Sequence, residues 1–227
     1  MKPAEPKQSP DEQEVPRGGR FCDAILATRR FYEERADEYF RRTVSADLSH
    51  LYNRFLPYLP SGGHILDLGC GSGRDLHAFI RRGFRAIGID SSEALVERAR
   101  AYSAAECVVG RIEELAYDHR FNGVWACASL LHLTRAAIGD ALSRIHRSLV
   151  LGGVLFASVQ EGEGEYVAAD GRFYTLYTES EFLSFLKAAG FDVLETWNSQ
   201  DALESKRPIH WLNVLARTTK GDKGTSS

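Results

Sequence analysis

The stretch His64-Ile65-Leu66-Asp67-Leu68-Gly69-Cys70-Gly71-Ser72-Gly73-Arg74-Asp75 limits what this chain can fold into more than any other. His64 to Leu68 reads as a short buried strand. Leu76, Phe79 and Ile80 begin a helical stripe, so the glycines at 69, 71 and 73 occupy the turn between strand and helix. Glycine takes positive φ freely and has no Cβ to hold a ligand off the backbone. A strand, a glycine turn and a helix N-terminus together present backbone N–H groups to a ligand at the mouth of a parallel sheet.

The spacing excludes a dinucleotide fingerprint. G-x-G-x-x-G would need its third glycine at 74, where the chain has Arg74. An acid, Asp67, stands two residues before the first glycine instead; it would repel a pyrophosphate and suits an ammonium group or hydroxyls. The next strand, Arg85 to Ile89, ends in Asp90, the usual kind of acceptor for ribose hydroxyls. The two carboxylates point to a cationic nucleoside without phosphate.

On those residues the segment Ile65–Asp90, "ILDLGCGSGRDLHAFIRRGFRAIGID", resembles the cofactor-binding half of class I S-adenosylmethionine-dependent methyltransferases. The similarity continues through "FNGVWACASLLHL" (121–133) and "LVLGGVLFASV" (149–159) and covers roughly residues 29 to 217. It implies an α/β fold: a doubly wound, Rossmann-like, mostly parallel sheet of seven strands in the order 3-2-1-4-5-7-6, the last antiparallel, with helices on both faces. It implies S-adenosyl-L-methionine as cofactor, with contacts from Asp67, Gly69, Cys70, Gly71 and Asp75 around the turn and from Asp90 and Ser91 at the second strand's tip. Arg111, Ile112 and Glu113 would flank adenine, and Ala128 and Ser129 would follow the fourth strand. One position departs from the pattern: the family often has an acid where Arg111 stands, and arginine cannot accept a hydrogen bond from the adenine amino group.

The flanks carry the remaining site candidates. In "RRFYEERADEYFRR" (29–42), Tyr32, Ala36, Tyr39 and Phe40 share one helical face, while Glu34, Glu38 and Arg42 run up another. An amphipathic helix packed on the domain explains this; a lid over the cofactor, spanning about 29–59 with a second helix from Leu48 to Leu59, is what the resemblance adds. Tyr32 would then face the sulfonium. His132 follows the fourth strand, where open α/β sheets place their sites. Its imidazole would be a general base for a weakly acidic acceptor, or simply a packed histidine under the cofactor.

Further along, Thr134 to Val150 reads as a helix stopped by Gly152-Gly153, and Val154 to Val159 as a buried strand. The loop 160–178 carries Glu161, Glu163 and Glu165, either solvated or lining an acidic mouth; Arg172, Tyr174 and Tyr177 return to the same region. A capping box, Thr178-Glu179-Ser180-Glu181, opens the next helix. Two final strands, Phe191–Trp197 and Ile209–Arg217, are joined by 198–208.

Composition narrows the function classes. At 227 residues the chain suits one α/β domain, here 21–219. Residues 1–20 and 220–227 read as disordered tails, being polar and, at the N-terminus, proline-rich. A net charge of −3 gives no overall pull toward nucleic acid. No apolar run approaches a membrane span and no leader pattern opens the sequence, so the expected location is cytoplasmic. The cysteines at 22, 70, 107 and 127 have no metal or disulfide spacing and read as free thiols. The expected activity is methyl transfer to a small-molecule acceptor at N, O or S, with no membrane partner and nucleic acid unfavoured. A methyltransferase acting on RNA or protein, and a non-catalytic cofactor-binding subunit, are the competing readings. The arginines at 29, 30, 35, 41 and 42 are the only basic cluster, and acids at 33, 34, 37 and 38 interrupt it.

Overall fold

The structure, a computed structural model, describes residues 13–14, 20–200 and 209–219. The C-terminal tail expected at 220–227 and most of the connection 198–208 lie outside those residues, as do most of residues 1–20.

The strands are β1 (Gln13–Glu14), β2 (His64–Leu68), β3 (Arg85–Asp90), β4 (Glu106–Val109), β5 (Phe121–Cys127), β6 (Leu149–Gln160), β7 (Glu165–Val167), β8 (Phe173–Thr175), β9 (Phe191–Gln200) and β10 (His210–Thr218). The helices are α1 (Arg20–Glu34), α2 (Ala36–Thr43), α3 (Ser49–Phe55), α4 (Arg74–Arg81), α5 (Glu93–Ser103), α6 (Ile138–Ser148) and α7 (Glu179–Ala188). The main sheet runs β4-β3-β2-β5-β6-β10-β9. Counted within that sheet the order is 3-2-1-4-5-7-6, with β10 antiparallel to both neighbours, as expected.

Each face of the sheet buries its own cluster. Leu66, Leu68, Val124 and Leu155 meet α6 and α7 through Ile138, Leu142, Ile145, Phe182 and Leu186. Trp125, Phe156 and Ile65 meet Tyr52, Phe55 and Phe79 on the opposite face. Trp125 is the hub of that second cluster. Its ring stacks on Phe156 at 4.0 Å and meets Phe55 at 5.2 Å. Its Nε1–H donates to Asp75 at 2.9 Å.

The helices begin where the caps allow. Ser92 accepts from the Leu95 N–H at the start of α5, and Thr178 accepts from the Glu181 N–H at the start of α7. At Gly73, φ is +76° and an added Cβ would sit 2.8 Å from the Ala99 Cα, so only glycine lets α4 start against α5.

Several expectations are corrected. The lid helix starts at Arg20, nine residues earlier than expected, and breaks at Arg35, whose φ of −116° separates α1 from α2. The helix α6 stops at Ser148, and Gly152-Gly153 lie within β6. There the ladder jumps from Phe121↔Leu149 to Gly123↔Val154, a bulge that Gly152 permits with φ +76°. Part of the 160–178 loop is a hairpin, β7–β8, and Gln13 and Glu14 pair with β7 instead of belonging to a tail. Extended backbone at a free edge attracts a further strand, and composition does not show that.

Trp125→Ala should lower stability by about 3–5 kcal/mol, from the cavity and the weakened support of Asp75. Urea unfolding should show a lower midpoint at unchanged slope.

Candidate cofactor and acceptor site

A cleft of about 800 Å³, counted to its open mouth, lies beyond the carboxyl ends of β2, β3 and β5. Its floor is Gly69, Gly71, Ile89, Asp90 and Ser91; one wall is Gly110, Arg111, Ile112 and Glu113; another is Ala128, Ser129, His132 and Leu133. The roof comes from α1 and α2, through Ile25, Thr28, Arg29, Tyr32 and Tyr39.

The glycine turn is held differently from a phosphate cradle. The N–H groups of Gly69 and Cys70 donate to the Ile89 carbonyl at 2.8 and 3.0 Å. The Gly71 N–H donates to Asp90 Oδ2 at 2.9 Å. These donors are spent on the tip of β3 and none of them awaits an anion. What the glycines provide is closeness: a Cβ on Gly69 would lie 2.5 Å from the Ser129 Cβ, and one on Gly71 would lie 3.0 Å from the Tyr39 ring.

Three carboxylates flank this turn, Asp67 and Asp75 buried and Asp90 half-buried, each in a different state. Asp90 accepts from Gly71 and, through Oδ1, from the Ser92 N–H at 3.0 Å. Burial raises its pKa, while the Ser92, Gly71 and Ser91 amides offset part of that rise. It faces the cleft with lone pairs to spare for hydroxyls. Asp67 is 2% exposed, and its Oδ2 has no partner. Burial, then the nearby Asp75 charge, raises its pKa well above the usual range. An orphaned acid below the turn fits an incoming ammonium group.

Asp75 is a correction. It does not line the cleft; it accepts from Tyr52 at 2.5 Å, Trp125 at 2.9 Å and Arg74 at 2.7 and 2.9 Å. Burial opposes its charge, but Arg74 and those hydrogen bonds hold the carboxyl below its ordinary value. Cys70 is also turned away, with its Sγ 2.8 Å from where a Gly88 Cβ would stand. Its thiol meets that of Cys107, and this contact and burial raise its pKa.

The remaining residues expected at the site line the cleft: Gly69, Gly71, Asp90, Ser91, Arg111, Ile112, Glu113, Ala128, Ser129, Tyr32 and His132. Arg111 is tied to Glu113 at 3.0 Å and to Glu114 at 3.5 Å, so the wall is zwitterionic. Ala128 has φ +56°, a strained value for a residue with a Cβ, and the buried Ser129 Oγ beside it has no partner. The acidic mouth is not there. Glu161 accepts from Asn198 and Glu165 from the Arg135 N–H, and neither lines the cleft. Ile25 and Thr28 are lining residues that the sequence reading missed. Their i, i+3, i+7 spacing with Tyr32 was the available signal, hidden by starting the helix at 29.

At the inner end, His132 Nδ1–H donates to the Phe173 carbonyl at 2.7 Å, because a carbonyl can only accept. Its Nε2 is therefore the acceptor for the Tyr32 hydroxyl at 2.9 Å. Burial lowers the imidazole pKa to about 4. Roof and hairpin are joined by further contacts: the Phe173 N–H donates to Thr28 Oγ1 at 2.8 Å, and Ser92 Oγ donates to Glu33 at 2.6 Å.

Residues 65–153 match the family described as methyltransferase domain. The chain is 28% identical over 173 residues to the tRNA U34 carboxymethyltransferase of Colwellia psychrerythraea, covering 68% of this chain and 52% of that protein. Here the chain spans only about half the length of its relative. It is 28% identical over 209 residues to O-methyltransferase resE of Aspergillus sclerotiorum, covering 84% and 74%. Among solved structures it is similar to the 1,6-didemethyltoxoflavin-N1-methyltransferase of Burkholderia thailandensis, with bound 1,6-didemethyltoxoflavin and S-adenosylhomocysteine. That match has a TM-score of 0.74 at 25% identity and covers 96% of this chain and 100% of that one. The chain's sheet order, its glycine turn and Asp90 in the cleft are likewise similar to those of class I S-adenosylmethionine-dependent methyltransferases. Its cofactor is S-adenosyl-L-methionine.

Two outcomes follow for the acids. Burial raises the Asp67 pKa above its unfolded value, so this carboxyl costs stability as pH rises past 3.8. Asp67→Asn should therefore raise the unfolding midpoint of the cofactor-free protein at neutral pH. It should also weaken S-adenosylhomocysteine about tenfold and abolish the proton release that calorimetry in buffers of different ionisation enthalpy detects for the wild type. Asp90→Ala should weaken the same ligand about 10- to 100-fold, read by the same titration.

Proposed function

We propose that this chain transfers a methyl group from S-adenosyl-L-methionine to a small-molecule acceptor at nitrogen, oxygen or sulfur. The observation that carries this is the closed roof. The helices α1 and α2 lie across the cleft, and α1 is fastened by Thr28 to Phe173, Tyr32 to His132 and Glu33 to Ser92. That leaves room for a small acceptor rather than a polymer strand. The likeness to the 1,6-didemethyltoxoflavin-N1-methyltransferase over nearly the whole chain supports the same reading.

In this reading Asp67 and Gly69 hold the cofactor's amino-acid end, Asp90 and Ser91 its ribose, and Arg111 to Glu113 its adenine. Ala128 and Ser129 pack beside the sulfur, with Tyr32 and His132 at the transferred methyl. When bound, the cofactor supplies a methyl on a sulfonium, which an acceptor lone pair takes while the bonding electrons remain on sulfur. The chain's own part is to orient the acceptor and exclude water, which alone supplies about 7–11 kcal/mol of such a barrier.

A polymer acceptor is favoured by several relatives that modify tRNA. In the basic cluster that would serve it, acids alternate with the arginines, and Arg30 pairs with Glu34 and Arg35 with Glu38.

Incubation with methyl-labelled cofactor separates the two. Label should enter the small-molecule fraction of a cell extract; label in the tRNA or protein fraction instead would overturn the reading.

A further inference from the structure

At the inner end of the cleft, two groups converge on one phenol. The Tyr32 O–H donates to His132 Nε2 at 2.9 Å, and its oxygen accepts from Arg172 Nη1 at 3.4 Å. The far nitrogen of His132 is committed to the Phe173 carbonyl, so the imidazole has no free nitrogen. Arg172 is fixed in turn. It pairs with Asp170 at 2.7 Å and lies over the Phe31 ring at 4.5 Å and the Tyr174 ring at 5.3 Å. A phenolic oxygen has one proton and two lone pairs. The proton and one lone pair are taken from behind, and a single lone pair remains.

We propose that Tyr32 is the residue that touches the reacting groups, and that His132 and Arg172 are positioning residues that fix the direction of its hydroxyl. This rests on the methyltransferase reading above and divides the work within that site. The lone pair left on Tyr32 accepts from an acceptor N–H or O–H, or faces the polarised methyl hydrogens, and so sets the acceptor in line.

His132 is poorly placed to take the acceptor's proton. The groups facing it are Tyr32, Tyr174, Arg172 and Asp170. Burial and the Arg172 charge both disfavour an imidazolium. Uptake of a proton at Nε2 would also require the Tyr32 hydrogen bond to break or its hydrogen to move. The acceptor's proton therefore leaves to water, and the site suits acceptors that ionise or lose a proton readily in solution: amines, acidic ring nitrogens, phenols and thiols.

Two measurements on the full chain test this. In the first, ¹⁵N-histidine spectra with and without S-adenosylhomocysteine should show His132 as the Nδ1–H tautomer, neutral through the physiological range in both states. An Nε2–H tautomer, or protonation near neutral pH in the complex, would overturn it. The second compares rates of label transfer to the small-molecule fraction. His132→Gln keeps a carbonyl acceptor within reach of Tyr32 but cannot take up a proton; it should retain at least about threefold more of the rate than His132→Ala, with the wild-type pH profile. His132→Ala and Tyr32→Phe should lose about 10- to 100-fold in kcat with KM for the cofactor unchanged. Equal, large losses in His132→Gln and His132→Ala would identify a base and sink the proposal. If the wild type transfers no label at all, it is the underlying reading that fails, and the tautomer result still decides the geometry.

Discussion

The structure depends on a turn that only glycine can make. Between β2 and α4 the chain passes through φ of +76°, +50° and +76° at residues 69, 71 and 73. A side chain at any of these is both strained and obstructed, by Ser129, Tyr39 and Ala99 respectively. The tight path brings the Gly69 and Cys70 amides onto Ile89 and the Gly71 amide onto Asp90. That fixes the second acid beside the first, and it also lets Tyr39 close down on the turn from above.

Three acids lie near this turn, and their states follow from what faces them. Asp75 is surrounded by donors and is ionised; it ties α3, α4 and β5 together. Asp90 is half satisfied by amides and keeps lone pairs for a ligand. Asp67 is left with an orphaned oxygen, a cost the empty fold carries for the sake of a cation. An unsatisfied buried carboxyl is unstable by itself, and such strain collects at binding sites. The roof is held to the rest of the domain by a few polar fastenings, to Ser92, His132 and Phe173.

Much of this was legible in the sequence. Strand order, the paired acids at 67 and 90, the caps at Ser92 and Thr178, and most of the cleft's lining came from local pattern and family resemblance. The misses share a cause. Asp75 follows the glycine turn, so it read as a ligand contact; its direction was settled by Trp125 and Tyr52, which approach from other segments. Gly152 read as a helix stop because nothing local distinguishes a terminator from a bulge. The glutamates of 160–178 were open to two readings, solvated or lining an acidic mouth, and only the partners Arg135 and Asn198 took two of them away from the cleft.

By itself the sequence determined which backbone conformations each segment favours and which faces it must bury, because φ preference and hydrophobic period belong to contiguous residues. Those settled the strands, the helices and the glycine turn, while the sheet order and the cofactor class came from the family resemblance. Only the tertiary structure decided which polar groups meet. Tyr32 and His132 are 100 residues apart, and Thr28 and the Phe173 amide 145 apart. Such pairings depend on how packed elements register in space, where every buried donor takes whichever acceptor the packing leaves within reach.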